Sequence, residues 1–220
     1  MTVTITRLYD DYASAEGAVR DLEAAGVPHN DISIVSNNAD SWYKGSGRAG
    51  TTVSPRTTTG RVDRDHDGVD DRAEGAGAGA GLGATVGGAA GLLAGLGLLA
   101  IPGLGPVVAA GWLASTALGA LAGGATGGII GALTQAGVND EDAQLYAEGI
   151  RRGGTLVSAR VPDRDRARYE SVLNRSAVNL KERSAVYRQG GWNRFDPSAP
   201  ALSADQIRKE REIYRRSSAA

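Results

Sequence analysis

From residue 75 to residue 139 the chain carries no Asp, Glu, Lys, Arg or His, a run of 65 residues. Glu74 is the last charge before it and Asp140 the first after it. Twenty of the 32 glycines lie inside this run. So long a stretch without charge suits burial between subunits or in a bilayer, although its start, Gly75-Ala-Gly-Ala-Gly-Ala-Gly81, also reads as a silk-like or disordered tract. The mean hydropathy of −0.23 is an average over this segment and strongly charged flanks. Residues 1–74 sum to −5, 140–174 to −1 and 175–220 to +5, which gives the net −1 of the chain.

Pro102-Gly103-Leu104-Gly105-Pro106 divides the run, because proline breaks helices and glycine permits tight turns. As helices, the arms 77–101 and 107–137 would measure about 37 and 46 Å at ~1.5 Å per residue, enough to cross a hydrocarbon core of about 30 Å. In the first arm Gly75, Gly79, Gly83, Gly87, Gly91 and Gly95 recur every fourth residue. In the second, Gly111, Ser115, Gly119, Gly123, Gly127 and Gly131 do the same with small residues. On a helix this spacing makes one face that lets backbones approach closely. The pattern predicts a glycine-zipper helical hairpin over 75–138. Arg61, Arg64 and Arg72 before it, and Arg151 and Arg152 after it, place both ends in the cytoplasm if the hairpin spans a membrane. Trp112 would then be an interfacial anchor. The same zipper can instead be buried between the subunits of a soluble oligomer.

On either side the pattern changes. Residues 3–9 alternate with period two, as a half-buried strand does. Ala15, Ala18, Val19 and Leu22 have helical spacing within 12–25, and Gly26 suits the helix C-terminus. Ile32, Ile34 and Val35 suggest a second strand. Asn139 caps a helix with Asp140, Glu141 and Asp142 in its first turn, and Gly153-Gly154 stop it. Residues 155–161 alternate again; a helix over about 163–174 and a strand over 177–181 follow. Two β-α-β units predict an α+β fold: a split ferredoxin-like β-α-β repeat interrupted by the apolar hairpin. The organisation expected is a first half over 1–36, a polar linker over 37–74, the hairpin over 75–138, a second half over 139–182 and a basic tail over 183–220. In the tail, Ser203 and Gln206 form a capping box that starts a helix over 204–215.

Within the linker, Asp63, Asp65, Asp67, Val69, Asp71 and Glu74 fall on the D-x-D-x-D-G-x5-E pattern of calcium loops, with Gly68 at the sharp turn. Asp70 stands where that pattern has an apolar residue, and no amphipathic helix precedes it. The loop reads either as a calcium ligand set or as a solvated acidic linker.

Other chemistry is missing from the sequence. With no cysteine, disulfide scaffolds, thiolate metal sites and cysteine catalysis are excluded. His29 and His66 are the only histidines. Gly95 to Ala100 match G-x-G-x-x-A, but inside an apolar arm with no preceding strand, so this is no dinucleotide site. No catalytic constellation is visible and no enzyme is expected. The basic tail suits anionic lipid headgroups better than nucleic acid, because aromatic interleaving is thin. The first seven residues lack a secretory pattern, so the N-terminal part is expected in the cytoplasm.

Residues 10–26 (Asp-Asp-Tyr-Ala-Ser-Ala-Glu-Gly-Ala-Val-Arg-Asp-Leu-Glu-Ala-Ala-Gly), followed by Ile32-Ser-Ile-Val35, resemble the N-terminal domain of bacterial general stress proteins of the heat-induced YflT type. The Ile101–Pro106 turn, the Asp140–Asp142 helix start and the Arg151–Gly154 step are similar to the rest of that pattern. The resemblance covers about residues 1–36 and 75–162. It implies a stress-response protein associated with the inner membrane and without catalysis, and it carries over no site residues. The expected partners are the lipid bilayer and further copies of the chain through the glycine faces. The alternative is a cytoplasmic, oligomeric calcium- or ligand-sensing stress protein.

Overall fold

The computed structural model describes residues 1–43, 97–101, 104–116 and 128–217. Its centre is a five-stranded antiparallel sheet. The strands are β1 (Thr2–Tyr9), β2 (Ile32–Asn37), β3 (Gly97–Ile101), β4 (Gly105–Gly111) and β5 (Thr155–Pro162), in the spatial order β1-β5-β2-β4-β3. β5 therefore runs between β1 and β2, antiparallel to each. The fold is mixed α+β.

Period-two alternation decides which side chains meet which layer. On one face Ile5, Tyr9, Ile32, Ile34, Val157 and Ala159 pack with Ala15, Val19 and Leu22 of α1 (Tyr12–Ala24) and with Tyr169 and Leu173 of α4 (Arg166–Leu173). Asp11 caps α1, its carboxylate accepting from the Ser14 N–H at 2.8 Å. On the other face Leu8, Val35, Val107, Ala109 and Leu156 meet α2 (Gly128–Gln135) and α3 (Asp140–Arg151). Asn139 caps α3 through the Asp142 N–H at 2.8 Å. Backbone bonds from Gly153 to Ile150 and from Gly154 to Gly149, both 2.9 Å, close its C-terminus.

The sheet corrects the helical-hairpin reading where it is described. Residues 97–101 and 105–111 are the strands of a β-hairpin, and β4 pairs with β2 from Ser33↔Gly111 to Asn37↔Val107. A strand covered on both faces needs uncharged residues throughout, as a membrane helix does, so absence of charge does not separate the two. Backbone geometry does: Gly111, inside the second expected arm, has a φ of +86°, which a continuous helix does not contain. No described helix is long and apolar enough to cross a membrane. The segment expected as a strand over 177–181 also differs. Its only strand-like feature is one bond, Val178 N–H to the Leu8 carbonyl at 2.8 Å. Asn179 then caps α5 (Leu180–Gln189) through the Lys181 and Glu182 N–H groups. The last helix, α6 (Ala204–Ser217), starts at the expected capping box: the Ser203 N–H donates to Gln206 Oε1 at 2.8 Å and the Gln206 N–H to Ser203 Oγ at 3.3 Å.

Gly111 and Gly131 belong to the same sequence row and separate here. A Cβ on Gly111 would lie 2.3 Å from the Ile32 carbonyl oxygen, whereas one on Gly131, inside α2, meets nothing within 4 Å. Gly111→Ala is expected to cost about 2 kcal/mol or more in denaturant unfolding. Gly131→Ala should be neutral or stabilising by up to about 1 kcal/mol. Equal losses at the two positions would mean that both glycines serve one packing face.

Candidate functional site

The uncharged segment joins the sheet along a seam built from its own residues and from β1, β2 and β5. Ser33 is the hinge of this seam. Its hydroxyl donates to the Ala110 carbonyl at 2.8 Å and accepts from the Leu113 N–H at 3.2 Å. The chain turns there at Gly111 into a helical turn over 112–116, which Ser115 and Thr116 close by donating to the Trp112 carbonyl, each at 2.9 Å. At the opposite end of β4, Asn38 N–H donates to the Pro106 carbonyl at 2.8 Å. Asn37 Nδ2 reaches the Leu104 and Arg151 carbonyls at 3.5 and 3.4 Å. Trp42 folds back over Tyr12, with ring centroids 4.4 Å apart, and donates from its indole to the Asn37 carbonyl.

Between this seam and the sheet lies a cleft of about 370 Å³. Thr2 and Thr4 of β1 and Arg160 of β5 form one wall; Trp112, Thr116, Ala132 and Gln135 of α2, and Ala136 just after it form the other. Thr4 and Arg160 are register partners, so their side chains rise from the same face. The Arg160 guanidinium stacks on the Trp112 ring, 4.0 Å from its centroid.

A second polar concentration surrounds the C-terminal half of α3. Every residue of α3 from Ala143 to Ile150 is buried. Its sheet side carries Ala143, Tyr146, Ala147 and Ile150; Leu145 on its other side joins Tyr187 and Tyr214 from α5 and α6. Glu148 has none of its surface exposed and is bonded by Arg152 at 2.7 Å and Arg151 at 3.4 Å. Arg152 continues to Glu210 of α6 at 3.0 Å and lies over the Tyr187 ring at 4.5 Å. Burial alone would lower the Arg152 pKa, but the Glu148 carboxylate beside it raises it above its ordinary value. Burial also pushes the Tyr187 and Tyr146 hydroxyls up to about 12, although nearby arginines oppose the shift. The Tyr146 hydroxyl donates to the Thr6 carbonyl at 2.8 Å.

Part of the positive charge after residue 174 is paired within the fold. Arg175 pairs with Asp21, Arg183 with Asp10, Arg188 with Glu141 and Arg211 with Asp40. Arg183 also covers the Tyr214 ring at 3.9 Å. Three of those acids come from the net-negative front of the chain. Sequence reasoning missed α5; its signal was Asn179 with Glu182 three residues later, an N-cap pattern that the structure uses.

The twelve glycine-row positions divide in the same way. Gly111 ends β4, Ser115 lies in the helical turn and Gly131 lies in α2. The other nine, and all six residues of the calcium-type loop (Asp63, Asp65, Asp67, Val69, Asp71 and Glu74), lie outside the described residues. Among the described residues no cluster of three His, Asp or Glu side chains forms a metal site. Comparison with protein-family models, with curated proteins and with solved structures finds no match to this chain.

Two predictions follow from the electrostatics around α3. Arg152→Ala leaves Glu148 with an incomplete partner set and removes the tie to Glu210. It should cost about 3 kcal/mol in chemical denaturation and open α6 to limited proteolysis. Alkaline titration supplies the second. An ordinary tyrosine ionises near pH 10, and Tyr146 and Tyr187 do so only at about 12 when folded. Their contribution to stability is present in full below pH 10 and is lost as pH rises from 10 towards 12. Tyrosinate absorbance should therefore rise in two stages, the later one coinciding with unfolding. A single stage near pH 10 in folded protein would contradict this.

Proposed function

We propose that the chain is a non-enzymatic bacterial general stress protein that works by self-association, its α+β domain holding the charge-free segment as an assembly element. The order β1-β5-β2, with α1 and α4 on one face, supports a ferredoxin-like core. The Val178 bond to Leu8 falls where the fourth strand of that arrangement would run beside β1. The observation that carries the assembly reading is the end of the sheet at β3. Among the described residues nothing pairs with its outer edge, and Leu98 is 37% exposed there. Proteins guard such edges with charge or proline, and Gly97 to Ile101 supply neither. Pairing with the same edge of a second copy would satisfy the free backbone groups and cover Leu98.

A second reading, association with the inner membrane, keeps one specific support: the 65 uncharged residues. High-speed centrifugation of lysed cells, then light scattering on a sizing column, separates the two. Self-association predicts a multimer in the supernatant. Leu98→Lys should shift it to monomer at equal concentration with an unchanged circular dichroism spectrum. Gly87→Leu and Gly123→Leu test the remaining glycine rows in the same assay. Sedimentation with membranes would favour the second reading, and a monomeric wild-type protein would overturn the proposal.

A further inference from the structure

We infer that the cleft between β1, β5, the 112–116 turn and α2 binds a small molecule through an oxyanion head, carboxylate or phosphate. Charge distribution makes the case first. Most described arginines sit in ion pairs, Arg7, Arg20, Arg151 and Arg166 among them. Arg160 has no carboxylate partner among the described residues. The reason lies in the sequence: the residues it faces, Trp112, Thr116, Ala132, Gln135 and Ala136, belong to the segment without acidic residues, and β1 contributes only threonines here. The cleft thus holds one uncompensated positive charge.

Geometry adds to this. The guanidinium carbon lies 4.0 Å from the Trp112 ring centre, and its N–H groups donate to no group among the described residues, so they remain available to grip carboxylate or phosphate in a fork. The ring also holds the long side chain in place, which reduces the ordering cost of binding. Thr2, Thr4 and Gln135, which carry hydroxyl and amide groups, line the same space, while the Thr116 hydroxyl donates to the Trp112 carbonyl. The buried Trp112 indole N–H has no acceptor among the described residues. Ala132 and Ala136 give one apolar flank. A volume of about 370 Å³ matches a small ligand with one anionic head and a short apolar body.

The test uses the full chain labelled with 5-fluorotryptophan. Its three tryptophans give three fluorine resonances, and Trp112→Phe assigns the one of interest. Inorganic phosphate and acetate are titrated separately at constant ionic strength, with chloride as the control. The Trp112 resonance should shift to saturation with one of the two anions while those of Trp42 and Trp192 stay in place. Saturation by phosphate identifies a phosphate head, and saturation by acetate a carboxylate head. Arg160→Gln should abolish the shift. Arg160→Lys, which keeps the charge and loses the fork, should weaken binding at least about tenfold. Arg160 is exposed, so these variants should fold; Gln135→Ala provides a second, weaker loss independent of the arginine. The inference is overturned if neither anion shifts Trp112 up to about 10 mM, where even weak sites fill. It is also overturned if chloride acts equally, or if Arg160→Gln leaves the shift intact.

Discussion

A carboxylate with no exposed surface organises the C-terminal half of the molecule. Glu148 sits on a helix that presses one side against the sheet, and an ion so placed must be neutralised by groups that reach it. Arg151 and Arg152 follow within one turn, but Arg152 is itself mostly buried and needs a second anion and a cover. Glu210 supplies the anion and the Tyr187 ring the cover, one from α6 and one from α5. Docking of both tail helices is therefore tied to the burial of one residue on α3. Without them, Leu145 and Glu148 would face water on a helix whose other side is already committed to the sheet.

The opposite charges at the two ends of the chain have the same resolution. The net-negative front and net-positive tail are two sides of an intramolecular interface, joined by Asp10–Arg183, Asp21–Arg175 and Asp40–Arg211. The first and last of these are shielded; the Arg175 pair is exposed, where such pairs contribute little. Arg183 gains further from the Tyr214 ring beneath it. The middle of the chain, having no charge, takes no part in this pairing. Its described part enters the fold through apolar contacts, backbone pairing with β2 and bonds from the Ser33 and Asn37 side chains, and Arg160 is left facing it without a carboxylate among the described residues.

Several elements were legible in the residues because their signals are local. The alternation in β1 and β5, the spacing of Ala15, Ala18, Val19 and Leu22, the Asn139 cap with its acidic first turn, and the Ser203–Gln206 box all act within a few residues, and the structure uses each of them. The β3–β4 hairpin was not legible. Val107-Val-Ala-Ala-Gly111 reads equally as the start of a glycine-spaced helix, and only pairing with β2, some 75 positions away, decides for the strand. The region after Leu173 is a similar case. Ala177 and Val178 look like the start of a strand, yet the Asn179 cap takes the chain into a helix after one bond to β1.

For the candidate cleft, the residue types were visible but their meeting was not. Thr4, Trp112, Gln135 and Arg160 span most of the chain and share no motif. By itself the sequence determined the charge-free segment, the β-α-β pattern before it, the strand and helix after Gly154 and the opposite charge of its ends, since these depend on composition and short-range periodicity. Only the tertiary structure decided that the middle of that segment becomes sheet, that the tail closes over Glu148 and that Arg160 stands on Trp112. Those outcomes depend on which distant surfaces can cover one another, a competition among long-range contacts that no local pattern records.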